Sequence, residues 1–125
     1  MKNKITSVYP WHGGCMKVIE INDNNFEEEV IKSEKNQLVI VDFWADWCMP
    51  CRMLSPIMER VANEYDGKVK VTKINVEKNP LHSTKYGISG IPTVKMFKKG
   101  KVIDEFVGFV PEKMVFDWVK KNLGQ

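Results

Sequence analysis

The chain has 125 residues, 43% of them hydrophobic and 28% charged, with 8 Gly, 6 Pro and 3 Cys. That length suits one domain, the apolar fraction excludes a disordered or collagen-like chain, and no apolar run approaches the roughly 18 residues of a membrane-crossing helix. Three cysteines are too few, and odd in number, for a disulfide-stapled secreted fold. The net charge of +3 is small but unevenly spread: Gly67 to Lys101 holds nine lysines against Glu77 alone, and Glu20 to Ile31 holds five acids and no base. Such runs are ordinarily solvated faces that bias encounter with charged partners. The lysines are not joined by an aromatic platform or a known motif, so nucleic acid is not an expected partner.

In chain order, residues 1–15 read MKNKITSVYPWHGGC. Lys2 and Lys4 resemble the start of an export signal, and Gly14-Cys15 faintly resembles a lipoprotein cleavage site. Export also needs about 7–15 consecutive apolar residues, and Thr6, Ser7, Pro10 and His12 break them up. Pro10, Gly13 and Gly14 disfavour regular structure. The expectation is a short flexible extension, residues 1–15, before a domain spanning 16–125 of a cytoplasmic protein.

Alternation in Lys17 to Ile21 predicts a short strand. Asn24 with Glu27 predicts an N-cap and capping-box partner for a helix that buries Phe26, Val30 and Ile31. Gln37 to Ala45 is nearly continuously apolar and predicts a strand buried on both faces. After Cys48-Met49-Pro50-Cys51, Leu54, Met58, Val61 and Tyr65 recur on one helical face as far as Gly67. Pro56 inside that helix is expected to kink it, because it removes a backbone donor.

Val69 to Val76 predicts a second buried strand, and Asn79-Pro80 a cap and first residue for a short helix ending near Gly87, with His82 capping or decorating its surface. Thr93 to Phe97 and Val102 to Val107, joined through Lys99-Gly100, predict an antiparallel hairpin. Pro111 begins a last helix with Val115, Trp118, Val119 and Leu123 inward, Glu112 near its start and Lys120-Lys121 near its end. The order βαβαβαββα predicts an α/β fold with a mixed central sheet flanked by helices.

Cys48 and Cys51 stand at the junction of a buried strand and a helix. At i, i+3 spacing their Cβ atoms are about 5–6 Å apart, a small adjustment from a disulfide. The helix start would stabilise a Cys48 thiolate, which makes Cys48 the expected nucleophile and the deeper Cys51 the resolving thiol. Zinc is the competing ligand reading: His12, Cys15, Cys48 and Cys51 supply the ligand count, but only if the tail folds over the helix start.

Two charged residues stand where apolar ones are expected. Asp42 interrupts the most hydrophobic strand, and Lys73 follows Val69 and Val71 at period two. Burial would raise the pKa of Asp42 and a neighbouring lysine would lower it. A carboxyl so poised beneath Cys51 is a candidate acceptor for its proton.

VDFWADWCMPCRMLSP from Val41 to Pro56, with KINVEKNP, KYGISGIPT and FKKGKVIDEFVG in register behind it, resembles the thioredoxin family over about residues 16–125. The resemblance implies the thioredoxin fold and reduction of protein disulfides by the Cys48–Cys51 pair, without a bound cofactor. Electrons would come from NADPH through a thioredoxin reductase. The expected partners are that reductase and disulfide-containing proteins, with neither membrane nor nucleic acid involved, and the chain acting as a monomer.

By the same resemblance, Asp42 and Lys73 match the family's buried aspartate and its neighbour, Trp47 the exposed tryptophan and Trp44 the packed one. Pro92 matches a cis-proline that leaves the Ile91 backbone free to pair with substrate, and Gly108 a groove glycine where a side chain would obstruct it. Met49 departs from the family's usual glycine beside Pro50, altering the surface that partners meet. An oxidase or isomerase of an exported compartment is a rival within the same chemistry. A non-redox binding module is a rival from another class.

Overall fold

The computed structural model describes residues 17–33 and 37–124. The 1–15 extension, with His12 and Cys15 of the zinc reading, lies outside them. The order is β1 (Ile19–Ile21), a π-helical segment (Glu27–Ile31), β2 (Leu38–Trp44), α1 (Met49–Glu64), β3 (Val69–Asn75), α2 (Pro80–Lys85), β4 (Thr93–Lys98), β5 (Lys101–Val107) and α3 (Glu112–Leu123). The expected βαβαβαββα order is therefore present, with the first helical element wound as a π-helix.

The five strands form one mixed sheet in the order β1-β3-β2-β4-β5. β1 and β2 flank β3 in parallel, and β4 runs antiparallel to β2 and β5. β2 is central, and its side chains divide between two cores, as its composition predicts. Leu38 and Ile40 pack with Leu54, Met58 and Val61 of α1 and Val115 and Val119 of α3. Val39, Val41 and Phe43 pack on the opposite face with Ile21, Phe26, Val30 and Phe97. Trp118 and Leu123 of α3 pack against the first core but remain only partly buried.

Several local expectations are met by different residues. Asn24 does not cap the first helical segment: Asn22 Oδ1 accepts from the amides of Asn24 and Asn25, and Asn25 Oδ1 accepts from the amide of Asn22. Asn79 occupies the cap position of α2 without capping it. The Asp23 carboxylate accepts from the Leu81 and His82 amides at 3.0 and 3.1 Å, while Asn79 Oδ1 accepts from the Asp23 amide at 2.9 Å. The two segments exchange caps. α1 continues through Pro56 from Met49 to Glu64.

His82 is not a surface residue. It is buried, stacks on Phe26 with ring centroids 4.1 Å apart, and places Nδ1 2.7 Å from Asp23 Oδ1. The physical reason is that α2 turns this face onto the second core, where the imidazole supplies apolar area and Asp23 satisfies its polar edge.

The β4–β5 hairpin turns through Lys99 and Gly100, both with positive φ, at 53° and 80°. Two successive left-handed residues suit the twist of a tight hairpin. A second feature favours glycine at position 100: a Cβ there would sit tightly against Ile31, 3.2 Å from its Cγ2 and 3.3 Å from its carbonyl oxygen.

Asp23 is partly desolvated, which raises its pKa, but the His82 ring and the two α2 amides outweigh that and hold it below the usual carboxylate value. A carboxylate with a lowered folded-state pKa stabilises the fold above its unfolded value and loses that contribution as pH falls through the folded one. Asp23→Ala is expected to cost about 1–2 kcal/mol in urea unfolding at pH 7. Its deficit relative to the parent chain should shrink below about pH 4.

Candidate active site

The end of β2 and the start of α1 carry the two cysteines. Cys48 is the N-cap residue of α1, in extended conformation, and its Sγ accepts from the Cys51 amide at 3.2 Å. The two are joined in a disulfide with Cα atoms 5.3 Å apart. Both are 3% exposed and form a small cluster with Ala45, flanked by Trp44, Val76 and Ile91. A sulfur at a helix N-terminus meets amide hydrogens that no carbonyl of the helix satisfies, so negative charge there is stabilised.

Opposite the pair lies the Ile91–Pro92 bond, which is cis. Cys48 Sγ is 3.7 Å from the Ile91 carbonyl oxygen. Pro92 is buried and Ile91 half-buried. The Gly108 amide donates to the Pro92 carbonyl at 2.7 Å, which sets the start of the β5–α3 connection beside the cysteines. Gly108 has φ +88°, and a Cβ on it would meet no protein atom within 4 Å. Within the chain itself, glycine is required there by the backbone, and the space beside it is open.

Trp47 and Met49 are 66% and 61% exposed on either side of Cys48, and Pro50 is exposed in the first turn of α1. The Trp47 indole N–H donates to Glu77 Oε2 at 2.7 Å, fixing the ring although it stands in solvent.

Behind Cys51 a cleft of about 460 Å³ runs down to Asp42, walled by Trp44, Ser55, Pro56 and Lys73. Asp42 is 4% exposed, and its Oδ1 is buried without a hydrogen-bond partner. Burial pushes its carboxyl up to about 7, against the lowering pull of Lys73, and Glu20 adds a further upward push. Lys73 is directed to the same side as Val69 and Val71, as its spacing predicts, and is half-buried. Its ammonium pairs with Glu20 Oε1 at 3.8 Å and sits 4.8 Å above the Trp44 ring.

The structure thus brings Cys48, Cys51, Asp42, Lys73, Ile91 and Pro92 into one centre, with Trp47, Met49, Pro50 and Gly108 around its rim. Glu20 and Glu77 belong to the same neighbourhood and escape a reading of the sequence. Glu20 reaches it only through the strand register, and Glu77 only through the approach of the β3–α2 turn to Trp47. No cluster of three or more His, Cys, Asp or Glu suited to a metal occurs among the described residues.

A sequence model of the thioredoxin family, described as "Thioredoxin", matches residues 17–121. The chain is 44% identical over 108 residues to "Thioredoxin" of Chlorobaculum thiosulfatiphilum, covering 86% of this chain and 98% of that one. It is 47% identical over 103 residues to "Thioredoxin" of Rickettsia bellii (82% and 96% covered) and 42% identical over 104 residues to "Thioredoxin 1" of Nostoc sp. (83% and 95%).

Asp42 holds its proton more tightly in the folded than in the unfolded chain. Between about pH 4 and about pH 7 the folded state therefore binds more protons, and stability falls as pH rises across that window. Asp42→Asn should remove this dependence. Its stability relative to the parent, measured by urea unfolding of the oxidised proteins, is expected to climb by up to about 4 kcal/mol from pH 4 to pH 8. A constant difference across that range would refute the assignment.

Proposed function

Because the chain belongs to the thioredoxin family and is a thiol–disulfide oxidoreductase, we propose that Cys48 is its attacking sulfur and Cys51 its resolving one. The observation that carries this is the asymmetry of the pair. Cys48 Sγ caps α1 and accepts the Cys51 amide, whereas Cys51 faces the Asp42 cleft.

The reaction is two successive exchanges. The Cys48 thiolate attacks one sulfur of a substrate disulfide, forming a mixed disulfide and releasing the other sulfur as a thiolate, which takes up a proton. Cys51 then attacks Cys48 Sγ, the Cys48–Cys51 bond forms, and the second substrate thiol leaves. Two electrons pass to the substrate, and no bound cofactor is needed.

The Cys51 thiol loses its proton in the second step, and Asp42 is placed to receive it. A carboxyl at about 7 is near the pKa at which a group both accepts and returns protons in neutral solution. Lys73 moderates that value.

Trp47, Met49, Pro50, Ile91, Pro92 and Gly108 make the substrate-facing rim. The Ile91 backbone, whose carbonyl lies beside Cys48 Sγ, would pair with an extended substrate segment as an added strand. Open space at Gly108 leaves room for that segment.

Family membership supports NADPH, through a thioredoxin reductase, as the electron source and disulfide-containing proteins as substrates. A dithiol reductant suits the reducing cytoplasm, and one chain holds every group the two steps use, so we place it there as a monomer. No helix among the described residues is long and apolar enough to cross a membrane, and the lysine-rich stretch lacks the aromatic platform that would suggest nucleic acid.

Insulin reduction coupled to a thioredoxin reductase tests the overall reading: turnover should vanish in Cys48→Ser. Iodoacetamide alkylation of the reduced protein should show Cys48 reacting with a midpoint below the roughly pH 8.5 of a free thiol. In single-turnover reduction of a model disulfide, Asp42→Asn should slow release of the mixed disulfide by about 100-fold or more. The first attack by Cys48 should be nearly unchanged. Equal effects on both steps would remove Asp42 from the proposed role.

A further inference from the structure

The register of three adjacent strands sets Glu20, Lys73 and Asp42 in one row. Glu20 of β1 is the Cα partner of Lys73 of β3, and Lys73 is the Cα partner of Asp42 of β2. Paired residues of parallel strands project to the same face, so the row alternates acid, base, acid across the sheet.

The base could turn either way, and in this structure it turns outward. The Lys73 ammonium is 3.8 Å from Glu20 Oε1, while Asp42 Oδ1 remains buried and unpartnered. Trp44 completes the arrangement from the end of β2. Its ring lies 4.8 Å beneath the ammonium, and its indole N–H donates to Glu20 Oε2 at 3.4 Å. Lysine and tryptophan are thus both held by one carboxylate on the edge strand.

We propose that Glu20 is a positioning residue of the redox centre: it holds the Lys73 ammonium on the β1 side, against Trp44, and thereby leaves the Asp42 carboxyl free of a salt bridge. This rests on the reading of Asp42 as the proton acceptor for Cys51, and it extends that reading to a residue of the sheet edge.

Other charged groups also border this neighbourhood. From α1, Arg52 and Glu59 line the same cleft, and Glu59 accepts from the Lys17 amide. Asp46, after β2, and Lys78, after β3, act on Glu20 in opposite directions. From β4, Val94 is the partner of Asp42 and carries no charge. The direction of the electrostatics agrees: Glu20 raises the pKa of Asp42, and Lys73 lowers it. Loss of the Glu20 charge removes the first influence and releases the lysine to strengthen the second.

The test is the titration of Asp42 followed by carbonyl-carbon NMR in the oxidised protein, for the parent chain, Glu20→Gln and Glu20→Ala. Both substitutions lie at an exposed position of the edge strand, and glutamine keeps an acceptor for the Trp44 indole. The Asp42 midpoint is expected to fall by about one pH unit in both variants. In a Lys73→Met background the same substitutions should move it by less than half as much. An unchanged midpoint, or a fall of equal size without the lysine, overturns the proposal.

The pH profile of mixed-disulfide release, measured in single turnover, should move down with the Asp42 midpoint. If the midpoint moves and that profile does not, the anchor stands and the proton-acceptor role of Asp42 fails.

Discussion

A strand buried on both faces cannot slip by one residue without sending every side chain to the wrong side. β2 is such a strand. Leu38 and Ile40 belong to the core beneath α1 and α3, and Val39, Val41 and Phe43 to the core beneath the π-helical segment and α2. The register fixed by these residues also fixes where the chain leaves the sheet. It therefore fixes the position of Cys48 at the mouth of α1 and of Asp42 in the cleft that Cys51 lines. The precision of the redox centre is inherited from hydrophobic packing that takes no part in the chemistry.

The same packing explains why a carboxyl group is tolerated at position 42. An unpaired carboxyl in an apolar layer is destabilising when ionised, and this one has a buried oxygen with no partner. The site works against the fold in neutral solution, which is the usual sign that a polar group is retained for what it does. The hydrophobic layers on both sides of β2 supply the surplus that offsets it.

Much of this was legible along the chain. The nearly unbroken apolar run into Cys48, the three-residue spacing to Cys51, the odd placement of Asp42 and the period-two position of Lys73 are local signals, and they point to residues that the fold sets around one cleft. The register-dependent partners were not legible. Glu20 looks like one member of an acidic run, and only the pairing of β1 with β3 sets it against Lys73. Asp23 and Asn79 exchange caps across 56 residues, so the expectation that Asn79 caps its own helix was chemically sensible and wrong. His82 failed for a related reason: a lone imidazole gives no sign of its burial until the core that receives it, here Phe26, is known. Propensity and spacing report on neighbours in sequence, and these residues answer to neighbours in space.

The bond between Cys48 and Cys51 spans a separation of only three residues. In the chain-entropy picture a crosslink stabilises by restricting the unfolded ensemble, by about 3 kcal/mol for a 15-residue loop and more for longer ones. A ring this small lies at the weak end of that scale. The same relation still gives about 2 kcal/mol for a ring of about four residues, so the oxidised chain is the more stable of the two forms. The chain gains a modest margin of stability each time it gives up electrons and the bond closes, and loses that margin when it is reduced, while its two hydrophobic layers carry most of the fold.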